Sequence, residues 1–147
     1  MLIKSANINY IYSYNKDIFE ESIFFDIETT GLNPKYSKIV MIGILYFKNG
    51  NYTLTQFFSE KDGEKEVIQE FINIMMNFRY LISYNGNSFD LRFIKKRAQF
   101  NNLNFSLKNK CLIDLLKVFR IHRNRFNTEN LKLKTVEKFS AIDRKDQ

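Results

Sequence analysis

Two carboxylates interrupt an apolar stretch near the start of the sequence. Asp26 and Glu28 lie within 23-IFFDIE-28, whose other residues are Ile and Phe and are typical of a buried strand. Residues i and i+2 of a strand point to the same side of the sheet, so the two carboxylates should lie side by side. An ionised carboxylate is costly there unless a cation or hydrogen-bond donors meet it. The pair therefore favours a cation-binding site.

A third carboxylate is expected to join this pair. Asp90 lies in the first turn of a predicted helix that follows the short strand 80–84. In an α/β sheet such helix starts lie beside the strand ends, so we expect Asp90 to converge on Asp26. Three carboxylates in a small volume repel one another, and one would be neutralised unless a divalent metal is bound. Mg²⁺ or Mn²⁺ prefers oxygen ligands, and two such ions can promote phosphodiester cleavage.

The hydrophobic pattern predicts the elements that must position these residues. Strands at 22–28, 38–47 and 51–58 form an antiparallel three-strand meander, with an Asn49-Gly50 hairpin signal before the third. The period then changes to that of helices separated by short strands. These later predicted elements are a helix at 64–78, a strand at 80–84, a helix capped by Asn87 or Ser88 and running to 100, a strand at 109–112, and helices at 113–121 and 130–139.

This order predicts a single mixed-sheet α/β domain over residues 1–147. Residues 1–20, with weak alternation at 7–14, are expected to form an edge strand or arm. No apolar run is long enough for a transmembrane helix, so no membrane partner is expected. The single cysteine, Cys111, suits a reducing cytoplasm. A net charge of +7 favours an anionic partner such as nucleic acid, although AT-rich coding also produces a lysine-rich composition.

Two segments resemble motifs of a known family. 25-FDIETTGL-32 resembles the first motif of the DEDD 3′–5′ exonucleases, and 85-NGNSFD-90 resembles their second, Asn-x-x-x-Phe/Tyr-Asp, at the family's spacing. The sequence is most similar to the YprB-like predicted exonucleases and to the proofreading domain of family B polymerases. Segments 111–116 and 131–139 resemble further YprB-like segments. The resemblance covers roughly residues 20–145 and implies a ribonuclease H-like fold, with a meander and parallel strands flanked by helices.

The resemblance also implies a two-metal site. Asp26 would bind both metal ions, Glu28 would bind the ion that activates water, and Asp90 would hold the second ion directly or through water. The ions would be Mg²⁺ or Mn²⁺. Their substrate would be the 3′ end of a single-stranded nucleic acid.

Further residues of the two motifs are implied to contact or shape the substrate site. Thr29, Thr30 and Leu32 would contact the terminal nucleotide, with Leu32 packing on a base, and Asn85 would be a substrate-side or motif-shaping residue. A strand end and a plain turn explain the threonines and Asn85 equally well. Asp114 also recurs in the YprB-like pattern, but capping of a helix at 113–121 explains it as well.

The family's third motif, Tyr-x-x-x-Asp or His-x-x-x-x-Asp, is missing from the last third of the sequence. Asn127 stands five residues after His122, and Phe139 precedes Asp143 without a phenolic hydroxyl. This motif would supply the fourth carboxylate and the general base, so we expect the chain alone to be impaired or inactive. A fragment lacking its last helix, a pseudoenzyme, and a partner or additional C-terminal segment that completes the site each fit.

Basic and aromatic residues provide candidate nucleic-acid contacts. Arg92, Lys95 and Lys96 fall on one face of a predicted helix, where a solvated face is the alternative. Further basic candidates are Lys117, Arg120, Arg123 and Arg125. The aromatic candidates are the alternating Tyr10, Tyr12 and Tyr14, which could stack bases or pack at a sheet edge. The sequence predicts a metal-dependent 3′–5′ exonuclease for single-stranded DNA or RNA. A non-catalytic nucleic-acid-binding or scaffolding module is the alternative.

Overall fold

The apolar stretch around Asp26 forms the strand on which the rest of the sheet is built. The computed structural model describes residues 1–8, 16–48 and 50–140. Its strands are β1 (Leu2–Ile8), β2 (Ser22–Thr29), β3 (Ile39–Lys48), β4 (Asn51–Phe58), β5 (Tyr80–Ser83) and β6 (Cys111–Asp114). Its helices are α1 (Lys16–Glu20), α2 (Glu64–Met75), α3 (Asp90–Phe100), α4 (Leu115–Ile121) and α5 (Leu133–Phe139), with a 3₁₀ turn at Arg123–Arg125.

The strands form one mixed sheet in the order β1-β4-β3-β2-β5-β6. Strands β2, β3 and β4 make the predicted antiparallel meander, and β1 adds to β4 antiparallel at the edge. Strand β5 runs parallel to β2, and β6 runs parallel to β5. The predicted α/β class, with parallel strands beside a meander, is confirmed, and β2 is an inner strand with neighbours on both sides.

Alternation along β2 divides the sheet into a core face and a functional face. Ile23, Phe25 and Ile27 are buried, whereas Asp26 and Glu28 point to the other side and are exposed. The core-facing side packs on α2, where the ring centroids of Phe25 and Phe71 are 5.4 Å apart. Burial of each such side chain contributes about 1.5–3 kcal/mol to folding. The apolar positions of β2 therefore fix the direction in which its carboxylates point.

Several sequence predictions are wrong in detail. The edge strand Leu2–Ile8 lies within the expected edge strand or arm of residues 1–20, and residues 9–15, including the three tyrosines, lie outside the described part of the chain. Helix α1 was not predicted. Strand β6 ends at Asp114 instead of residue 112, which places this carboxylate at the end of a strand. Asn49 also lies outside the described residues, but the pairing of Lys48 with Asn51 agrees with the predicted two-residue hairpin loop.

Helix α3 begins without the predicted cap. Neither Asn87 nor Ser88 caps it; Phe89 is the residue before the first turn, and no side chain caps the helix. The turn that precedes α3 replaces the cap, because the Leu91 amide donates to the Gly86 carbonyl at 2.9 Å. No helix in the described residues is both long and apolar enough to span a membrane.

A buried ion pair joins α2, α3 and the start of β3. Glu64 is 4% exposed and accepts two hydrogen bonds from Arg97, at 2.8 and 2.6 Å, and one from the Ile39 amide at 2.8 Å. Burial alone would raise the pKa of Glu64, but these donors and Asn101 outweigh it and lower the pKa. Arg97 also donates to the Pro34 carbonyl at 3.1 Å. One pair therefore fixes two helices and the loop that follows β2.

We expect loss of this pair to destabilise the fold strongly. Arg97→Ala leaves Glu64 buried without a counter-charge, so the free energy of unfolding should fall by about 3–5 kcal/mol. The exposed pair of Lys38 and Asp62, at 3.3 Å, gives a matched control. Lys38→Ala should cost at most about 1 kcal/mol. Urea unfolding of both variants measures the difference, and equal losses would contradict the assigned role of Arg97.

Candidate active site

The structure brings Asp26 and Asp90 together at one end of the sheet. Asp26 points away from the core near the carboxyl end of β2, and Asp90 is the first residue of α3. Asp90 is 5% exposed, and its Oδ1 accepts a hydrogen bond of 3.2 Å from the Ile27 amide, between the two β2 carboxylates. The predicted convergence of Asp90 on Asp26 is thus present, with the β2 backbone as one of its supports.

The two carboxyl groups perturb each other. Burial, together with the charge of Asp26, raises the pKa of Asp90 to about 6. Partial burial also raises the pKa of Asp26, although hydrogen bonds from Ile27 and Asp90 oppose the change. The Asp114 charge adds a smaller contribution at Asp90. Near neutral pH the site therefore holds negative charge at a free-energy cost that a bound cation would relieve.

Glu28 is the third carboxylate expected at this site. It is exposed and lies on the same face of β2 as Asp26. The strand register shifts directly after it, between Glu28 and Thr29. Within the described residues, no three His, Cys, Asp or Glu side chains are close enough together to hold a metal ion. The structure therefore brings together two of the three carboxylates expected to share the site.

The turn after β5 sets the position of Asp90. Asn85 has a φ of +66°, and its amide donates to Asp114 Oδ1 at 2.9 Å. The same oxygen accepts from the Leu116 amide at 3.1 Å and so caps α4. Asp114 therefore has the predicted capping role and also holds the Asn85 turn. Its Oδ2 is buried and lacks a hydrogen-bond partner among the described residues.

The loop after β2 presents the other motif residues. Thr29 donates to the Gly31 carbonyl at 2.9 Å, and Thr30 Oγ1 accepts from the Lys38 amide at 2.9 Å. Both hydroxyls therefore stabilise the loop that follows β2. Leu32 in the same loop is 84% exposed.

A groove of about 1040 Å³ extends from Asp26 past β5 to α4 and the segment 129–133. The Tyr84 hydroxyl, which the sequence did not single out, donates to the Leu131 carbonyl at 2.6 Å and ties this segment to the site. The groove is largely apolar, with Arg120, Arg123 and Lys132 among its lining residues. The sequence signal that could have identified Tyr84 is its position directly before the Asn85-Gly86 turn.

The candidate residues in the last third of the sequence lie at the end of α4 or outside the described residues. His122 is exposed and lies directly after the last residue of α4. Asp143 and Asp146 fall within residues 141–147, outside the described part of the chain. Phe139 packs on Phe126 with ring centroids 5.5 Å apart.

The sequence profile of the RNase_H_2 family, described as RNase_H superfamily, matches residues 23–147. The chain belongs to the RNase H superfamily. A further relative is the PolC-type DNA polymerase III of Mycoplasmopsis pulmonis, which is 27% identical over 128 residues. That alignment covers 72% of this chain but only 9% of the polymerase, so the chain spans a small part of this relative.

Solved structures share the RNase H-like fold at low sequence identity. The family B DNA polymerase of Pyrobaculum calidifontis has a TM-score of 0.66 at 18% identity, covering 84% of this chain and 18% of the polymerase. E. coli exonuclease I in complex with a dT13 oligonucleotide has a TM-score of 0.69 at 15% identity, covering 83% and 36%. The predicted fold and the resemblance to exonucleases and family B polymerases are confirmed.

The raised pKa of Asp90 predicts a pH-dependent stability. The ordinary pKa of 3.8 applies to the unfolded chain and about 6 to the folded one, so the folded state binds more protons between these values. Stability should therefore fall as pH rises from about 4 to above 6. Asp90→Asn keeps an acceptor for the Ile27 amide but carries no charge. Without divalent ions at pH 7.5, it should stabilise the protein by up to about 3 kcal/mol.

Thermal unfolding between about pH 4.5 and 7.5 in EDTA measures this effect. The slope with pH should be shallower for Asp90→Asn than for the wild type. Asp62→Asn, at an exposed carboxylate, is the control and should leave the slope unchanged. A wild-type slope in Asp90→Asn would contradict the assignment of this titration to Asp90.

Gly86 is expected to be essential for the position of Asp90. A Cβ at Gly86 would overlap the Ser83 hydroxyl and lie 3.2 Å from Asp90 Oδ2. Gly86→Ala should therefore lower the free energy of unfolding by about 1–3 kcal/mol. Adding Ser83→Gly removes the overlapping atoms and should restore part of the loss in urea unfolding. Gly43→Ala is the control, because its nearest contact is an ordinary 3.6 Å from the Met41 sulfur. Equal effects at both glycines would argue against the crowding.

Proposed function

We propose that the protein is a metal-dependent 3′–5′ exonuclease that hydrolyses phosphodiester bonds of single-stranded DNA or RNA. The observation that carries this proposal is the meeting of Asp26 and Asp90 at the end of β2, with both pKa values raised. A carboxylate pair kept under such repulsion favours function over packing. Membership of the RNase H superfamily and the fold shared with exonuclease I support the same activity.

The residues present suit Mg²⁺ or Mn²⁺. Asp26 and Asp90 offer only oxygen donors, and a divalent cation would offset the repulsion between them. Glu28, exposed on the same strand face, would add a further carboxylate oxygen as substrate binds. When bound, such a cation stabilises charge on the scissile phosphate and lowers the pKa of water. Two ions are expected in a complete site, with Asp26 binding both.

The chain itself positions these groups and the substrate. The Ile27 amide orients Asp90, and the Asn85 turn, held by Asp114, fixes the start of α3. Exposed Leu32 would pack on the terminal base, in a loop that Thr29 and Thr30 stabilise through their hydroxyls. Because these contacts exist within the protein alone, binding would not require the loop to be ordered at extra cost.

A fourth carboxylate and a general base would complete the site. No Tyr-x-x-x-Asp or His-x-x-x-x-Asp pattern occurs in the last third of the sequence. We infer that this chain alone is a slow enzyme, and that a further C-terminal segment or a partner supplies these groups. A cytoplasmic location, expected from the single exposed Cys111, belongs to the same proposal.

A non-catalytic nucleic-acid-binding module is the second candidate. The absence of any three-ligand cluster within the described residues favours it. The raised pKa values of Asp26 and Asp90 favour the enzyme, because a binding module gains nothing from a repelling pair beside a polyanion.

Incubation of 5′-labelled single-stranded DNA and RNA with the protein and Mn²⁺ separates the two candidates. We expect a ladder of products shortened from the 3′ end. Asp26→Asn should slow the cleavage by about 100-fold or more, the order of loss for one group that stabilises transition-state charge. Glu66→Gln, at an exposed carboxylate on α2, is the control and should cleave at the wild-type rate. Binding without metal-dependent cleavage would refute the exonuclease and support the module.

A further inference from the structure

A second groove lies between α3 and the loop that follows β2. It has a volume of about 450 Å³ and is separate in its lining from the groove at Asp26. Its polar lining residues are Asn33, Lys35, Arg92, Lys95, Lys96 and Gln99. The four from α3 are spaced i, i+3, i+4 and i+7, so they form one stripe along the helix. Nothing in the proposed exonuclease site uses this stripe.

Every charged residue that lines this groove is positive. Lys35 comes from the loop, and Arg92, Lys95 and Lys96 come from α3, and all four are exposed. The only carboxylate of α3 is Asp90, at its first residue. The groove therefore concentrates four positive charges along one wall and one loop, the complement of a chain of phosphates.

The four groove cations have no acidic partner among the described residues, in contrast to three other basic residues. Lys38, Arg79 and Arg97 each pair with a carboxylate. Among the described residues, no ion pair involves any of the four groove cations. Two of them instead contact aromatic rings, Lys35 over Tyr36 at 5.2 Å and Lys96 over Phe100 at 5.5 Å. Their charges are consequently available to an external anion.

The groove is also preformed. Arg97 donates to the Pro34 carbonyl, so the loop is tied to α3 by a residue that is itself held by buried Glu64. Within the loop, the Asn33 carbonyl accepts from the amides of Tyr36 and Ser37, at 3.0 and 2.9 Å. The two walls are thus held at a fixed separation by contacts that leave the four groove cations free.

Both walls of the groove are connected along the chain to the elements that carry the carboxylate pair. Helix α3 begins at Asp90, and the loop follows β2, which carries Asp26. At 1.5 Å per residue, Arg92, Lys95 and Lys96 stand about 3, 8 and 9 Å beyond Asp90 along the helix axis. At 100° per residue, these cations lie about 140–240° around the helix from Asp90, so a strand whose end is at Asp26 and Asp90 would have to turn around α3 before its later phosphates reach them.

We propose that this groove binds the backbone phosphates of a single-stranded nucleic acid a few nucleotides from the end held at the carboxylates. The inference rests on the proposed function for the identity of the strand, and on charge and geometry for the contact. Tyr36 is 76% exposed beside Lys35 and provides a ring on which a base of the same strand can stack. Because the contacts are to phosphates, binding should depend on salt and not on base sequence.

The test compares two pairs of lysines that differ only in place. Lys95→Gln/Lys96→Gln removes two charges from the groove and retains helix-forming side chains. Lys48→Gln/Lys108→Gln removes two exposed charges at the opposite end of the sheet, at the last residue of β3 and before the start of β6. Binding of a labelled dT strand of about 12 nucleotides is measured in EDTA over a range of salt concentrations. Cleavage of a dT dinucleotide is measured separately with Mn²⁺.

We expect the slope of log K against log salt concentration to be smaller in magnitude by about 1.4 in the groove variant. Each of the two lost phosphate contacts on a single strand contributes about 0.7 to that slope. The same two contacts correspond to about 25-fold weaker binding near 0.1 M salt. The control variant should bind like the wild type. Dinucleotide cleavage should be unchanged in both variants, because its single phosphodiester does not reach Lys95.

Three results would overturn the inference. The first is a wild type that binds no single strand, and the second is a groove variant that keeps the wild-type slope. The third is an equal loss of affinity in both variants, which would mean that only net charge matters. A wild type that binds but does not cleave, with the groove variant weakened as expected, refutes the exonuclease and leaves the phosphate groove standing. A wild type that cleaves, with a groove variant that binds like the wild type, supports the exonuclease and refutes the phosphate groove.

Discussion

Repulsion between Asp26 and Asp90 is the constraint on which the arrangement of this end of the molecule depends. Two carboxyl groups, one of them buried, are held together with no paired cation among the described residues. Such a pair persists only if the surrounding structure fixes its members. The core face of β2 supplies that support, because Ile23, Phe25 and Ile27 cannot turn outward without losing the packing on α2.

The second member of the pair is fixed by backbone more than by side chains. The Asn85 turn has a left-handed residue, a glycine packed against Ser83, and an amide bonded to Asp114. Asp114 is the last residue of β6, so the third parallel strand helps to position a residue at the end of the second. This role explains why Asp114, which is not part of the Asp26–Asp90 pair, is buried and accepts two hydrogen bonds through Oδ1.

The Glu64–Arg97 ion pair distinguishes the α3 cation that faces the interior from those that face solvent. It ties the loop after β2 to α3 and neutralises the one α3 cation that faces the interior. The other α3 cations remain on the solvent side, next to a negatively charged pair at the helix start. A polyanion held by that surface would present its end to the carboxylates, where a metal ion must offset the repulsion, so the two proposals describe successive parts of one path.

Local sequence patterns determined the elements and the identity of the carboxylates. Period-two alternation placed Asp26 and Glu28 on one face of a strand, and the Asn49-Gly50 signal gave the meander, since both depend on neighbouring residues alone. Tertiary structure decided which charges meet. The Asp26–Asp90 contact, the second role of Asp114 and the Glu64–Arg97 pair all join residues distant in sequence, and their geometry depends on strand order and helix position. No local pattern encodes those distances, and therefore only the folded chain shows that Asp90 closes on Asp26.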